Sequence, residues 1–256
     1  MYPIICKIGP LTIYSYGLFL FLAFSIAAFL LSREAKIQGL CPELIFNFSF
    51  IILISGIIGS RLLYIILNPG YYLENPLQII MLQRGGLAWF GGLILAIPSS
   101  IIYLRNKHLD VYKIFDLAIP FIALGQAVGR IGCFFNGCCF GKASSNFGIY
   151  SQAHDLYLIP TQLYSSLLLI GIYIALRIKQ ARIYSRVKLK GKEIVQKHKG
   201  EIFYTYLFLY SLKRFFIEFL RGDSRDLILG LRVFHALSIV LFVSSVIMLI
   251  RIKRRN

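Results

Sequence analysis

The sequence predicts an all-α, polytopic integral membrane protein of about seven transmembrane helices. Three observations carry that expectation. Of its 256 residues, 57% are hydrophobic and the mean hydropathy is +0.71, whereas a soluble domain stays near half apolar. Several apolar runs reach the ~20 residues needed to cross a bilayer. Lys and Arg number 28 against 11 acids, a formal charge of +17, and most of them gather in alternate connecting segments.

Taken in order, the first span covers about 14–31. It is long for the apolar region of a signal peptide, has no basic region before it and is followed by Arg33 and Lys36, so it reads as a span and not as a cleaved leader. The second, about 44–67, ends at NPGYYLENP (68–76), a turn-rich external segment with Tyr71 and Tyr72 at interfacial depth. The third and fourth, about 86–104 and 113–131, flank Arg105, Lys107 and Lys113. Residues 132–159 form an external excursion. The fifth span, about 160–178, leads into a basic cytoplasmic loop, 179–200, containing ARIYSRVKLKGKEIVQKHKG. The sixth and seventh cover about 201–220 and 231–250, with Arg251 to Arg255 closing the chain.

Seven crossings place all these basic segments on one side. The positive-inside rule makes that side the cytoplasm, so the N-terminus lies outside and the C-terminus inside. With no internal repeat and no soluble domain, residues 1–256 read as a single membrane domain. Charge that follows topology argues against nucleic acid as a partner, although Lys188 to Lys199 alone is basic enough to raise that reading.

Polar groups within apolar spans are the informative ones, because each charge there costs roughly 2.5–3.5 kcal/mol on insertion scales. Arg61 sits in GIIGSRLLY, Arg130 ends the fourth span, and the sixth reads YLFLYSLKRFFIEFLRGDSRD. There Tyr210, Arg214, Glu218 and Arg221 recur at helical spacing and share one face. Arg214 and Glu218 can pair, and a structural ion pair locking two helices is the plain alternative. Yet Arg61, Arg130, Arg214 and Arg221 outnumber Glu218 as the acid at that depth. The surplus points to an anionic ligand, best a lipid phosphate reached laterally, since guanidinium binds phosphate bidentately. A voltage sensor needs arginines at every third position of one helix, and that pattern is absent.

In GRIGCFFNGCCFG (129–141), Gly129, Gly132, Gly137 and Gly141 following the arginine suggest a loop whose amides face an anion. Close helix packing is the other reading of the same glycines. The spacing matches neither a Walker loop nor a dinucleotide fingerprint. Cys133, Cys138 and Cys139, with His154 further on, supply half of a zinc-site pattern, which normally pairs two such clusters. No metal site is therefore expected; small packing residues are preferred over a metal or a redox pair.

The same stretch resembles the signature of the prolipoprotein diacylglyceryl transferase family. So, in the family's order, do SYGLFLFLAF (15–24), GSRLLY (59–64), GGLAWFGGLI (85–94), PTQLY (160–164) and YSLKRFFIEFLRGD (210–223). The resemblance implies a multi-pass enzyme of the bacterial cytoplasmic (inner) membrane with seven spans and no cofactor. It implies transfer of the sn-1,2-diacylglyceryl group from phosphatidylglycerol to the lipobox cysteine of a prolipoprotein, releasing glycerol 1-phosphate. On that pattern Arg130 and Arg214 stabilise the leaving phosphate, Tyr16 and Tyr210 orient the headgroup, and Glu218 holds the arginines. Asn136 and Gly141 shape the signature segment, while Arg61, Arg221, Gly91 and Gly92 join the substrate site.

The chain departs from the pattern where many members carry a histidine, replaced here by Phe90. Cys133 stands where asparagine is common and Cys138 where an acid is common; Ile159 and Ser165 replace a histidine and an acid. The alternatives are a divergent paralogue that binds or transports an anionic lipid without chemistry, or a transferase for another acceptor. Retention of Arg130, Arg214, Tyr16 and Glu218 favours the active transferase.

Overall fold

The computed structural model describes residues 4–8, 11–81, 86–151, 154–190, 198–222 and 233–254. In chain order the elements are β1 (Ile4–Ile8), β2 (Leu11–Tyr14), α1 (Ser15–Ile37), α2 (Pro42–Leu67), α3 (Pro69–Glu74), a 3-10 turn (Pro76–Ile79) and α4 (Trp89–Asn106). They continue as α5 (Val111–Asn136), β3 (Ile149–Ser151), β4 (Leu156–Leu158), α6 (Thr161–Lys190), α7 (Glu201–Leu220) and α8 (Val233–Arg254). The strands make two short antiparallel hairpins, β1–β2 and β3–β4, and every long element is a helix.

Among the described residues, five helices are long and apolar enough to cross a membrane: Ser15–Ile37, Pro42–Leu67, Val111–Asn136, Thr161–Ser185 and Phe234–Arg254. Two more of the expected spans fall outside that set for physical reasons. The apolar part of α4, Phe90–Asn106, is short, and α7 carries Lys213, Arg214 and Glu218 within its length. Large apolar side chains such as Phe21 (65% exposed) and Leu167 (67%) face outward, while Ser166, Gln180 and Ser245 are buried. Such an inverted surface suits lipid as the solvent.

Two boundaries differ from the sequence reading. The basic segment 179–200 is helical as far as Lys190, because Arg, Lys and Gln are good helix formers and no turn residue intervenes. Residues 191–197 lie outside the described ones. Helix α5 runs on to Asn136, so the first half of the signature is helix and not external loop.

The chain divides into two compact units, Met1–Leu30 with Phe115–Asn256, and Leu31–Ile114. In the first, α5, α6 and α7 share a core that includes Ala123, Ala127, Leu169, Leu176 and Tyr206. The N-terminal part of α1 packs on α5 along glycines. A Cβ at Gly132 would stand 2.6 Å from Phe19 Cβ, and the Phe19 and Phe135 rings stack at 5.2 Å. In lipid such close approach and buried hydrogen bonds replace the hydrophobic effect as the cement. Ser166 Oγ accordingly donates to Ala127 O (2.9 Å) and Tyr206 OH to Gln126 Oε1 (2.8 Å).

The start of α7 is held in an unusual way. Its N-cap residue is Gly200, at φ 83 and with no capping side chain. The buried carboxylate of Asp116, on α5, accepts from Gly200 N–H (2.7 Å) and Phe203 N–H (2.8 Å) instead. A negative group at a helix N-terminus satisfies orphan donors and the helix dipole together. Lys179 Nζ adds bonds to Glu201 Oε1 (2.8 Å) and Thr205 Oγ1 (2.7 Å).

In the second unit, α2 and α4 cross where Gly59 meets Gly91. A Cβ at either would fall within 2.3 Å of the other's carbonyl oxygen, and one at Gly92 would reach Ser60 Oγ at 2.6 Å. Gly91 and Gly92, expected at the substrate site, thus serve helix contact within this unit. Arg61 is buried and not free to meet an anion: its guanidinium donates to Ile79 O (3.0 Å), Gly86 O (3.0 Å), Gln78 O (2.5 Å) and Met81 O (3.3 Å), and lies over the Tyr72 ring.

The Asp116 cap yields a stability test. Replacing it, Asp116→Ala, should cost about 1–2 kcal/mol, read as a lowered unfolding midpoint in micelles, with Asp116→Asn losing less because one acceptor oxygen remains.

Candidate active site

The signature segment is built on a helix ending. At the close of α5, Gly137 N–H donates to Phe134 O and Cys138 N–H to Cys133 O, both at 3.2 Å, with Gly137 at φ 75. That pattern is a Schellman cap, which needs glycine at its left-handed position. It occupies the amides of Gly137 and Cys138, while Gly141 N–H donates to Ile159 O at 2.9 Å. These amides are therefore not the anion nest expected from the sequence. Asn136 is the exposed last residue of the helix.

Beyond the cap, the chain is stitched to the end of α7. Gly141 bridges Arg221 in antiparallel fashion, with Lys142 N–H donating to Leu220 O (2.8 Å) and Gly222 N–H to Phe140 O (3.1 Å). The two backbones approach too closely for side chains: a Cβ on Gly141 would lie 2.7 Å from Ile159 O and 2.8 Å from Leu220 O. The start of α6 completes the clamp, as Thr161 Oγ1 donates to Cys139 O and Gln162 Nε2 to Cys138 O, each at 2.7 Å. Both are 1% exposed. Their role was not assigned from PTQLY, although polar residues opening an apolar helix are the signal that could have found them.

These contacts gather the charged groups of the first unit. Arg214 Nη2 lies 2.9 Å from Glu218 Oε2, with Glu218 fully buried, and the guanidinium stacks 4.2 Å above the Phe234 ring. The ion pair foreseen from spacing is formed. Arg130, half-buried near the end of α5, makes no hydrogen bond or ion pair among the described residues. It lies within electrostatic reach of Tyr210, Arg221, Arg214 and Tyr16. Tyr16 opens α1 at the contact with Gly132. Of the expected site residues, the structure therefore brings together Arg130, Arg214, Tyr16, Tyr210, Glu218 and Arg221, with Gly141 and Asn136 in the segment that links them. Arg61, Gly91 and Gly92 belong to the other unit.

One basic side chain was missed. Lys213 is buried, its Nζ 4.5 Å from the centroid of the Tyr210 ring, and it lies within electrostatic reach of Arg130 and Arg214. Among the described residues no carboxylate pairs with it. A lysine inside an apolar helix, next to the arginine already singled out, was the available signal.

Comparison with known proteins gives one consistent result. A family model described as prolipoprotein diacylglyceryl transferase matches residues 3–251. The phosphatidylglycerol–prolipoprotein diacylglyceryl transferase of Clostridium tetani is 34% identical over 233 residues, 88% of this chain and 87% of that protein. Those of Bacillus licheniformis and Bacillus velezensis are 35% and 33% identical, covering 95% and 97% of this chain and 89% and 91% of their own.

The backbone crossing at Gly141 separates two substitutions. Gly141→Val should lower folded yield and thermal stability in micelles, since backbone atoms block the new side chain. Gly129→Ala, whose Cβ would meet only Leu20 Cδ2 at 4.0 Å, should leave both near wild type.

Proposed function

The chain belongs to the prolipoprotein diacylglyceryl transferase family, and we propose that it transfers the diacylglyceryl group of phosphatidylglycerol to the lipobox cysteine of a prolipoprotein signal peptide. The observation that carries the reading is Arg130: among the described residues, a half-buried guanidinium with no bonded partner, near Arg214 and Lys213, where the carboxylate of Glu218 is already committed to Arg214. A membrane-embedded phosphate supplies the missing countercharge.

In this reaction the substrate thiol sulfur forms a bond to the glycerol carbon as the carbon–oxygen bond to phosphate breaks. The leaving oxygen takes the electron pair and departs as glycerol 1-phosphate; the thiol proton passes to solvent or buffer. Arg130 and Arg214 stabilise charge on the phosphate as it grows, Lys213 stands beside them as a hydrogen-bond donor, and Tyr16 and Tyr210 orient the headgroup by their hydroxyls. Glu218 fixes the Arg214 side chain, and Arg221 is set by the Gly141 crossing. The free thiol, pKa ~8.5, is a few per cent ionised at neutral pH, and the same positive field favours its ionised form. No metal or organic cofactor takes part.

The helices α1, α2, α4, α5, α6, α7 and α8 are the seven spans of this reading. The N-terminus lies outside and the C-terminus in the cytoplasm of the bacterial inner membrane, as the basic segments support. Membrane lipids are its solvent and its donor.

Purified protein in phosphatidylglycerol vesicles, given a synthetic lipobox peptide, should add a diacylglyceryl mass to the peptide and release glycerol phosphate. Arg130→Ala and Arg214→Ala should each cut kcat about 10²-fold or more. Lys213→Leu should lose about 10- to 100-fold in kcat/KM, the worth of a hydrogen bond to a charged group. Phosphatidylglycerol retained without transfer would instead favour the non-catalytic lipid binder that the Phe90 replacement raises, and transfer to a small thiol alone would favour another acceptor.

A further inference from the structure

We propose that Cys133, Cys138 and Cys139 form a metal site that takes one soft divalent cation of the zinc type through three thiolates. The sequence argued against this because only half of the usual ligand pattern is present. Folding supplies what spacing lacked: the three Sγ atoms all lie within 4.8 Å of one another. Zinc–sulfur bonds of about 2.3 Å set the sulfurs of such a site roughly 4 Å apart, so the cluster needs little movement to close on an ion.

The convergence is a consequence of the helix cap. In a Schellman ending the residue two beyond the helix meets the residue one turn back. Here those positions are Cys138 and Cys133, and the Cys138 thiol also reaches Cys133 O at 3.7 Å. Cys139 follows in the left-handed region, at φ 61, a conformation that a side chain other than glycine, asparagine or aspartate seldom adopts. It is held there by Thr161 and Gln162, which grip the carbonyls of Cys139 and Cys138. Ligands locked before the ion arrives are the feature that separates a built site from a chance cluster.

Charge and access agree. A divalent ion on three thiolates carries net charge −1, and Arg221 lies within electrostatic reach of Cys139 to balance it, leaving Arg130 to the substrate phosphate. Packing alone would be served by a fully buried apolar trio, yet Cys138 and Cys139 are half-buried and only Cys133 is buried. All three are free thiols. His154 is engaged with Gly137 O (3.5 Å) and the Phe140 ring and lies outside the three-sulfur set, so the fourth position is left to solvent. An ion here would tie the end of α5 to the segment that crosses α7 at Gly141, stiffening the support of Arg221.

The test uses the full chain, reduced and purified in micelles, titrated with Co²⁺ alone. Sulfur-to-cobalt charge-transfer absorption should saturate at one equivalent and disappear on adding Zn²⁺. Cys133→Ser, Cys138→Ser and Cys139→Ser should each abolish it, while Cys6→Ser and Cys41→Ser leave it unchanged. Because a serine variant can fail by misfolding, the wild-type protein gives a second measurement: Zn²⁺ should protect these three thiols, and not Cys6 or Cys41, from alkylation read by mass spectrometry. Absence of the charge-transfer band, or equal alkylation with and without Zn²⁺, overturns the proposal. So does conversion of the trio to a disulfide under the titration conditions in place of metal uptake. None of these readouts depends on transferase activity.

Discussion

A guanidinium placed in hydrocarbon must be met by something, and the rest of this structure follows from how each one is met. Arg61 is answered by four backbone carbonyls from the segment after α2. Arg214 is answered by Glu218 and by the face of Phe234. Arg130 has no such partner among the described residues. The first solution is architectural, the second tunes a side chain, and the third is the charge that the proposed substrate phosphate would complete.

The segment that follows Arg130 is held mostly through backbone. The cap of α5, the Gly141 crossing and the start of α6 place the signature segment through carbonyls and amides, with side chains such as Thr161 and Gln162 acting on carbonyl oxygens. Such a scaffold suits a site that handles an anionic headgroup beside lipid, because every amide and carbonyl it uses is already paired. At the opposite end of α7, Asp116 performs the same service by capping a helix that has no capping residue of its own. The helix carrying Tyr210, Lys213, Arg214 and Glu218 is thereby fixed at both ends by α5 and the segment that follows it.

The glycines divide along the same line. Gly125 and Gly132 let α1 and α5 approach, and Gly59 and Gly91 do so for α2 and α4. Gly137 supplies a left-handed cap. Neither job is anion binding, so the anionic character of the ligand is argued from side-chain cations and not from glycine-rich sequence.

The sequence by itself determined the class of protein, most helix positions and the shared face of Tyr210, Arg214 and Glu218, whereas Arg221, expected on the same face, lies just beyond α7 in extended backbone. These depend on composition and on a 3.6-residue period, both local properties. It also predicted the Arg214–Glu218 pair, since partners four apart meet on any helix. Only the tertiary structure decided which arginine stays unmet, because the carbonyls that satisfy Arg61 come from a turn whose path no periodicity encodes. It alone placed Asp116 against a helix more than eighty residues away in the chain and brought three sulfurs together. Each of these is a meeting of segments distant in sequence or joined by a cap, and such meetings are set by packing rather than by pattern.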